Sequence, residues 1–136
     1  SEDRPTPEIT SKTNDWLIQI ADSHNFTIEE LNYIFCSDEY LLEVNKTYLQ
    51  HDFYTDIITF DNSDKENTIE SDIFISIDRV EENEKELDVP RGTEILRVIA
   101  HGLLHLCGFK DKTIEEATEM RKQEDACLSL WKEVYT

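Results

Sequence analysis

Apolar positions fall along the 136-residue chain in a readable order. Trp16, Leu17, Ile20 and Ala21 recur at helical spacing, which predicts a first helix over 12–24. The β-rich run LNYIFC, 31–36, is closed by Ser37 and Asp38, either of which caps a following helix well. That helix, 38–48, is expected to bury Tyr40, Leu41, Val44 and Tyr48. Two strands, IITF (57–60) and DIFISI (72–77), are separated by an acidic stretch read as an exposed loop. A short polar helix over 79–87 ends before Pro90. A long apolar helix then starts with Thr93 as its cap, runs through ILRVIAHGLLHLC and stops at Gly108, a residue able to adopt the left-handed conformation. A last helix over 114–134 would turn Ala117, Met120, Ala126, Leu130 and Val134 inward. No repeat or linker interrupts this order. The expected fold is therefore one α+β domain over 1–136: a small mixed sheet of four strands or fewer, helices packed on it, and a zincin-like metal helix.

Composition narrows the classes of function. The chain carries 31 acidic against 13 basic side chains, a formal net charge of −18. Thirteen aromatic residues (six Phe, five Tyr, two Trp) argue for a folded protein despite that charge. Nucleic-acid binders usually show a basic patch or stripe, and the chain as a whole has none. An anionic membrane surface would repel it, and no apolar run approaches the roughly 18 residues of a membrane span. The start, SEDRPTPEIT, lacks the basic and apolar segments of a signal peptide. Three widely spaced cysteines, Cys36, Cys107 and Cys127, do not form a disulfide framework. The expected location is the reducing cytoplasm.

The chemistry concentrates in HGLLHLCGFKD, 101–111. His101 and His105, four apart on a helix, project from nearly one face, the spacing with which a HExxH helix grips zinc. Gly108 lets the chain turn back, so that Asp111 is a candidate third ligand. Three protein ligands with an open fourth position is the pattern of catalytic zinc. A structural or exposed histidine pair fits the same spacing. Two details favour metal: the pair sits in an otherwise apolar stretch, where an unpaired imidazole is costly to desolvate, and the acidic residue follows the helix stop. Gly102 occupies the position where peptidases of the HExxH type carry their general base, which counts against peptide hydrolysis.

His101, Gly102, Leu104, His105, Leu106 and Gly108 match the signature H-G-x-L-H-L-x-G-x-D-H. Asn45, Tyr48, Thr55, Asp56 and Phe60 match an N-x-x-Y-R…P-T-D-V-L-S-F block, and DIFIS (72–76) resembles a G-D-I-x-I-S strand. In these three ordered blocks the chain resembles the YbeY-type endoribonucleases, bacterial rRNA maturation factors. The resemblance implies a metal-dependent, zinc-type hydrolase of single-stranded RNA, with ribosomal RNA, the small ribosomal subunit and ribosome-assembly proteins as partners. The sequence departs from the family at three positions. Asp111 stands where the third metal-binding His falls, Lys110 where an Asp precedes it, and Leu49 where an Arg acts on the RNA. An Asp oxygen is an acceptable zinc ligand at about 2.0–2.2 Å. It lowers the site charge by about one unit and makes a bound water less acidic. Lys110 is the candidate to take part of the missing arginine's place.

Other residues have simpler readings. His51 is either an alternative ligand or a surface-loop residue, and His24 a helix-end residue near the dipole terminus. Cys107 and Cys127 read as core thiols. Thr55 and Asp56 either line the cleft or serve a turn. The acidic run 81–88 reads as a solvated helix face. Two other functions fit the same residues: a non-catalytic ribosome-assembly factor braced by a structural metal, and a metal hydrolase of another substrate. Residues 61–95 carry 12 acidic and 4 basic side chains, whereas 96–112 carry Arg97, Lys110 and Lys112 against Asp111 alone. The motif is thus expected to be a locally positive island that attracts phosphate, with weak non-specific RNA affinity elsewhere.

Overall fold

A computed structural model describes residues 9–135, so most of the N-terminal stretch read above for a leader lies outside the described residues. The chain runs α1 (Ser11–Ser23), β1 (Thr27–Cys36), α2 (Asp38–Leu49), β2 (Ile57–Asp61), β3 (Thr68–Ser76), α3 (Ile77–Leu87), α4 (Thr93–Leu106) and α5 (Ile114–Leu130), and ends in a π-helical turn, Trp131–Tyr135. The sheet is three-stranded and mixed, in the order β1-β3-β2, with β1 parallel and β2 antiparallel to β3.

The central strand alternates. Ile69, Ser71, Ile73 and Ile75 are buried on one face, where Ile69, Ile73 and Ile75 meet Trp16, Leu17 and Ile20 of α1, Val98, Ile99 and Leu103 of α4, and Met120 and Cys127 of α5. Phe74 turns to the other face and, with Ile58 and Phe60, packs against Leu41 and Val44 of α2. The Trp16 indole N–H closes the α1–α5 contact by donating to the Cys127 carbonyl at 2.9 Å. Burying one such aliphatic side chain is worth roughly 1.5–3 kcal/mol, so this layer of isoleucines holds α4 firmly against the sheet. No helix among the described residues is long and apolar enough to cross a membrane.

The elements depart from the sequence pattern at several places. β1 begins at Thr27, because Thr27–Leu31 pair with the start of β3. β3 begins at Thr68, which shortens the acidic loop and buries Ile69 and Ser71. α3 begins directly after β3, its first turn capped by the Ser76 hydroxyl. Thr93 is the first helical residue of α4 and not its cap. The cap is Gly92, at φ 91°, with no side-chain bond of its own. Glu84 of α3 supplies the acceptor instead, taking the backbone N–H of Gly92 at 2.8 Å and of Glu94 at 3.3 Å. One member of the supposedly solvated acidic run therefore tethers the start of α4. In α2, Tyr40 and Tyr48 are 54% and 69% exposed, and the inward stripe is Leu41, Val44 and Asn45. In α5, Ala117 and Ala126 face solvent, as does Val134 beyond it, and the inward stripe is Met120, Glu124 and Cys127.

Candidate metal centre

α4 carries His101 and His105 one turn apart on its half-buried side. The opposite side packs on the sheet: a Cβ on Gly102 would stand 3.0 Å from the side-chain methyls of both Ile57 and Ile73. The position after the first histidine thus faces the core and has no room for a carboxylate. Past Leu106 the helix closes with two bonds, from the Gly108 N–H to the His105 carbonyl (3.0 Å) and from the Phe109 N–H to the Leu104 carbonyl (3.0 Å). This closure needs a left-handed residue, and Gly108 supplies it at φ 100°. Phe109 anchors the reversal edge-on against His24, the C-cap of α1, with ring centroids 5.0 Å apart.

The reversal returns Asp111 to the histidines. Its Oδ2 lies 3.4 Å from Nε2 of His101 and 3.4 Å from Nε2 of His105, and the two Nε2 atoms are 3.0 Å apart. All three potential ligand atoms fall within 4.8 Å of one another. Donors held tetrahedrally about an ion at roughly 2.1 Å stand about 3.4 Å apart. Two imidazole nitrogens and one carboxylate oxygen at these separations fit a divalent ion of the zinc type without rearrangement.

A residue that the sequence did not point to completes the arrangement. Glu124 of α5 is buried, its side chain 7% exposed, with Oε2 2.6 Å from Nδ1 of His101 and Oε1 3.0 Å from Nη1 of Arg97. Arg97 in turn bonds Asp125 at 3.0 Å and approaches Glu94 at 3.9 Å. Burial alone would raise the Glu124 carboxyl, but the hydrogen bonds and charges of His101 and Arg97 outweigh it and hold the group below its ordinary range. Burial likewise opposes a charge on His101, yet Glu124, Asp111 and Asp56 together lift its affinity for a proton above the ordinary value. An ionised Glu124 at 2.6 Å favours the tautomer with the proton on Nδ1 of His101, which leaves the Nε2 lone pair for the cluster. Carboxylate partners of this kind fix the tautomer and orientation of ligating histidines. The signal was present in α5: an acid at the i+4 position between Met120 and Cys127 occupies a core-facing stripe opposite His101.

A cleft of about 600 Å³ opens beside His105, its walls including Leu49, His51, Phe53, Thr55 and Lys112. His51 is in this wall and not in the donor cluster. The Thr55 hydroxyl also bonds the Ile57 carbonyl (3.3 Å), and the Asp56 carbonyl accepts the Ser76 N–H (2.9 Å), so both residues serve the turn into β2. Lys110 is exposed. Cys127 is buried and Cys107 half-buried, and all three thiols are free. Among the described residues, Oε1 of Glu94 is buried without a hydrogen-bond partner, although Arg97 approaches it at 3.9 Å, and burial raises that carboxyl.

The family model described as endoribonuclease YbeY matches residues 1–132. The endoribonuclease YbeY of Cytophaga hutchinsonii is 59% identical over 117 residues, covering 86% of this chain and 82% of that protein. The endoribonuclease YbeY of Christiangramia forsetii is 46% identical over 116 residues, 85% of this chain and 80% of its own length. A solution structure of a Thermotoga maritima protein superposes with a TM-score of 0.60 at 26% identity, covering 88% of this chain and 81% of that one. With its three ordered motif blocks and a match across nearly its whole length, this chain belongs to the endoribonuclease YbeY family.

Proposed function

We propose that this chain is a metal-dependent endoribonuclease in which His101, His105 and Asp111 hold one zinc ion, acting on single-stranded ribosomal RNA during maturation of the small ribosomal subunit. The observation that carries the reading is the convergence of three donors at 3.0–3.4 Å in a chain of an endoribonuclease family. A divalent ion so held would supply Lewis-acid polarisation of a phosphoryl oxygen and would make a water more acidic. The protein's own part is positional. Glu124 keeps the proton on Nδ1 of His101, and Arg97 keeps Glu124 ionised and in place. The closure at Gly108 presents Asp111, whose charge offsets part of that of the ion. Lys112, in the cleft beside His105, offers a cation to a phosphate of the bound strand. Free thiols suit a reducing cytoplasm, where the ribosomal RNA is also found.

The test pairs elemental analysis with RNA cleavage. The purified protein is expected to hold one ion per chain, lost in His101→Ala and strongly depleted in Asp111→Ala, but retained in His51→Ala. Metal kept by Asp111→Ala and lost by His51→Ala would overturn the ligand set. Cleavage that survives both His101→Ala and Asp111→Ala would overturn the mechanism.

A further inference from the structure

The cleft beside His105 contains a feature that metal binding does not use. His51 and Phe53 are stacked, with ring centroids 5.1 Å apart and planes 20° from parallel, and Phe53 is 55% exposed. A lone exposed aromatic is ordinary on a protein surface. This pair differs in the way its backbone is held. Gln50 closes α2 in the left-handed conformation at φ 57°. The His51 N–H then bonds the Asn45 carbonyl at 3.1 Å. The Asn45 side chain, 1% exposed, donates to the Phe53 carbonyl at 2.9 Å. One buried residue thus holds the backbone on both sides of the pair, while more than half of Phe53 stays exposed. Both rings line the same cleft as His105.

We infer that the His51–Phe53 pair is a stacking platform for one unpaired nucleobase of the RNA strand whose backbone reaches the His105 side of the cleft. The inference rests on the reading of the chain as an RNA-cleaving enzyme and adds how the strand is seated. Charge supports it. A protein of net charge −18 gains little from many phosphate contacts. Among the described residues lining the cleft, Lys112 is the one lysine or arginine, and Leu49 occupies the place of the family's arginine. Stacking on a neutral ring does not depend on counterion release, tolerates any base, and requires that the base be unpaired. Affinity here therefore comes from the ring pair, and register from Lys112.

The experiment uses the full chain, stripped of metal with a chelator so that no cleavage occurs. A labelled single-stranded decaribonucleotide is titrated by fluorescence anisotropy, and a set of otherwise identical strands each lacks one base. Phe53→Ala and Phe53→Leu are expected to weaken binding roughly 5- to 100-fold, the range of one lost base stack. Phe53→Trp should restore it. One abasic position should weaken wild-type binding by a similar factor and leave Phe53→Ala no weaker than before. The wild-type salt dependence should be shallow, near one phosphate contact. Binding by Phe53→Ala within twofold of wild type, Phe53→Leu as good as Phe53→Trp, or indifference to every abasic position would each overturn the platform; all three are the results expected if the face instead meets a protein. With metal restored, intact cleavage alongside unaffected Phe53 variants rejects the platform and leaves the nuclease reading standing. Base-dependent binding through Phe53 without any cleavage does the reverse.

Discussion

Replacing Glu124 by glutamine tests the link between α5 and the metal helix most directly. The carboxylate accepts from two donors at once, Nδ1 of His101 at 2.6 Å and Nη1 of Arg97 at 3.0 Å. A glutamine of the same shape has one acceptor and one donor. If its oxygen faces His101, its NH2 group confronts the Arg97 guanidinium. If it turns to satisfy Arg97, it offers an N–H to Nδ1 and pushes the histidine proton onto Nε2, the atom needed for metal. Loss of such a carboxylate partner typically costs about 10- to 100-fold in metal affinity. Taking about 30-fold, a protein saturated at 1,000 times its dissociation constant falls from about 4 to about 2 kcal/mol of metal-dependent stabilisation. For a domain of this size the lost 2 kcal/mol corresponds to roughly 6–8 °C in Tm.

The assay compares Tm with excess zinc and with chelator for wild type and Glu124→Gln, with chelator competition giving affinity directly. Subtracting the chelated value removes the metal-independent cost of disturbing Arg97. Asp125→Asn is the control. It loosens the exposed side of the Arg97 clamp, where Asp125 is 59% exposed, without touching His101, and should alter affinity less than twofold. A Glu124→Gln protein that binds zinc within twofold of wild type and shows the same zinc-dependent Tm shift would refute the reasoning.

Three further outcomes follow from the same structure. In the metal-free protein, His101 holds its proton more tightly than in the unfolded chain, so its contribution is full below pH 6.5 and is lost as pH rises above it; Glu124, depressed, contributes above pH 4.5 and is lost below. Urea melts of chelated protein should therefore peak between those values, and a flat profile from pH 4 to 8 would contradict the pairing. Gly102→Ala drives a Cβ to 3.0 Å from both Ile57 and Ile73, an overpacking cost of about 1–3 kcal/mol against about 1 kcal/mol of helix propensity gained. The variant should be less stable in denaturant melts, and a stabilised one would show that the isoleucines yield freely. Burial pushes Cys36 and Cys107 up to about 11 and Cys127 to about 12, so a disulfide reagent at pH 7.5 should label native thiols far more slowly than unfolded ones; rapid native labelling of Cys127 would contradict its packing.

What the sequence made legible was local. The His101–His105 pair, the stop at Gly108 and the return to Asp111 all lie within eleven residues, where helix period and glycine conformation dictate geometry. What it hid was non-local or polar. Thr68–Ser71 reads as loop and Thr27–Glu30 as no element, because only Ile28 and Ile69 mark an apolar face, and the pairing of β1 with β3 makes them strands. The cap of α4 is not legible in its own segment because its acceptor is Glu84, on another helix. In α5 the apolar pattern points Ala117 and Ala126 inward, but they are small enough to leave in water at little cost. The charged Glu124 is inside because Arg97 and His101 neutralise it.

That same network changes the electrostatic reading of the motif. Counted along the chain, 96–112 is positive, with Arg97 as one of its three cations. In the folded protein Arg97 is engaged by Glu124, Asp125 and Glu94, and its charge holds the site together. Lys110 and Lys112 remain at the surface, against Asp111. The protein groups at the centre therefore carry little net attraction for phosphate, and Coulomb repulsion from the rest of an acidic chain is not offset by them. On the proposed reading the ion adds phosphate attraction at one point of the surface, beside the stacking contact that seats the strand without it. An enzyme built this way avoids non-specific binding along RNA. Its choice of substrate then rests on the cleft beside His105.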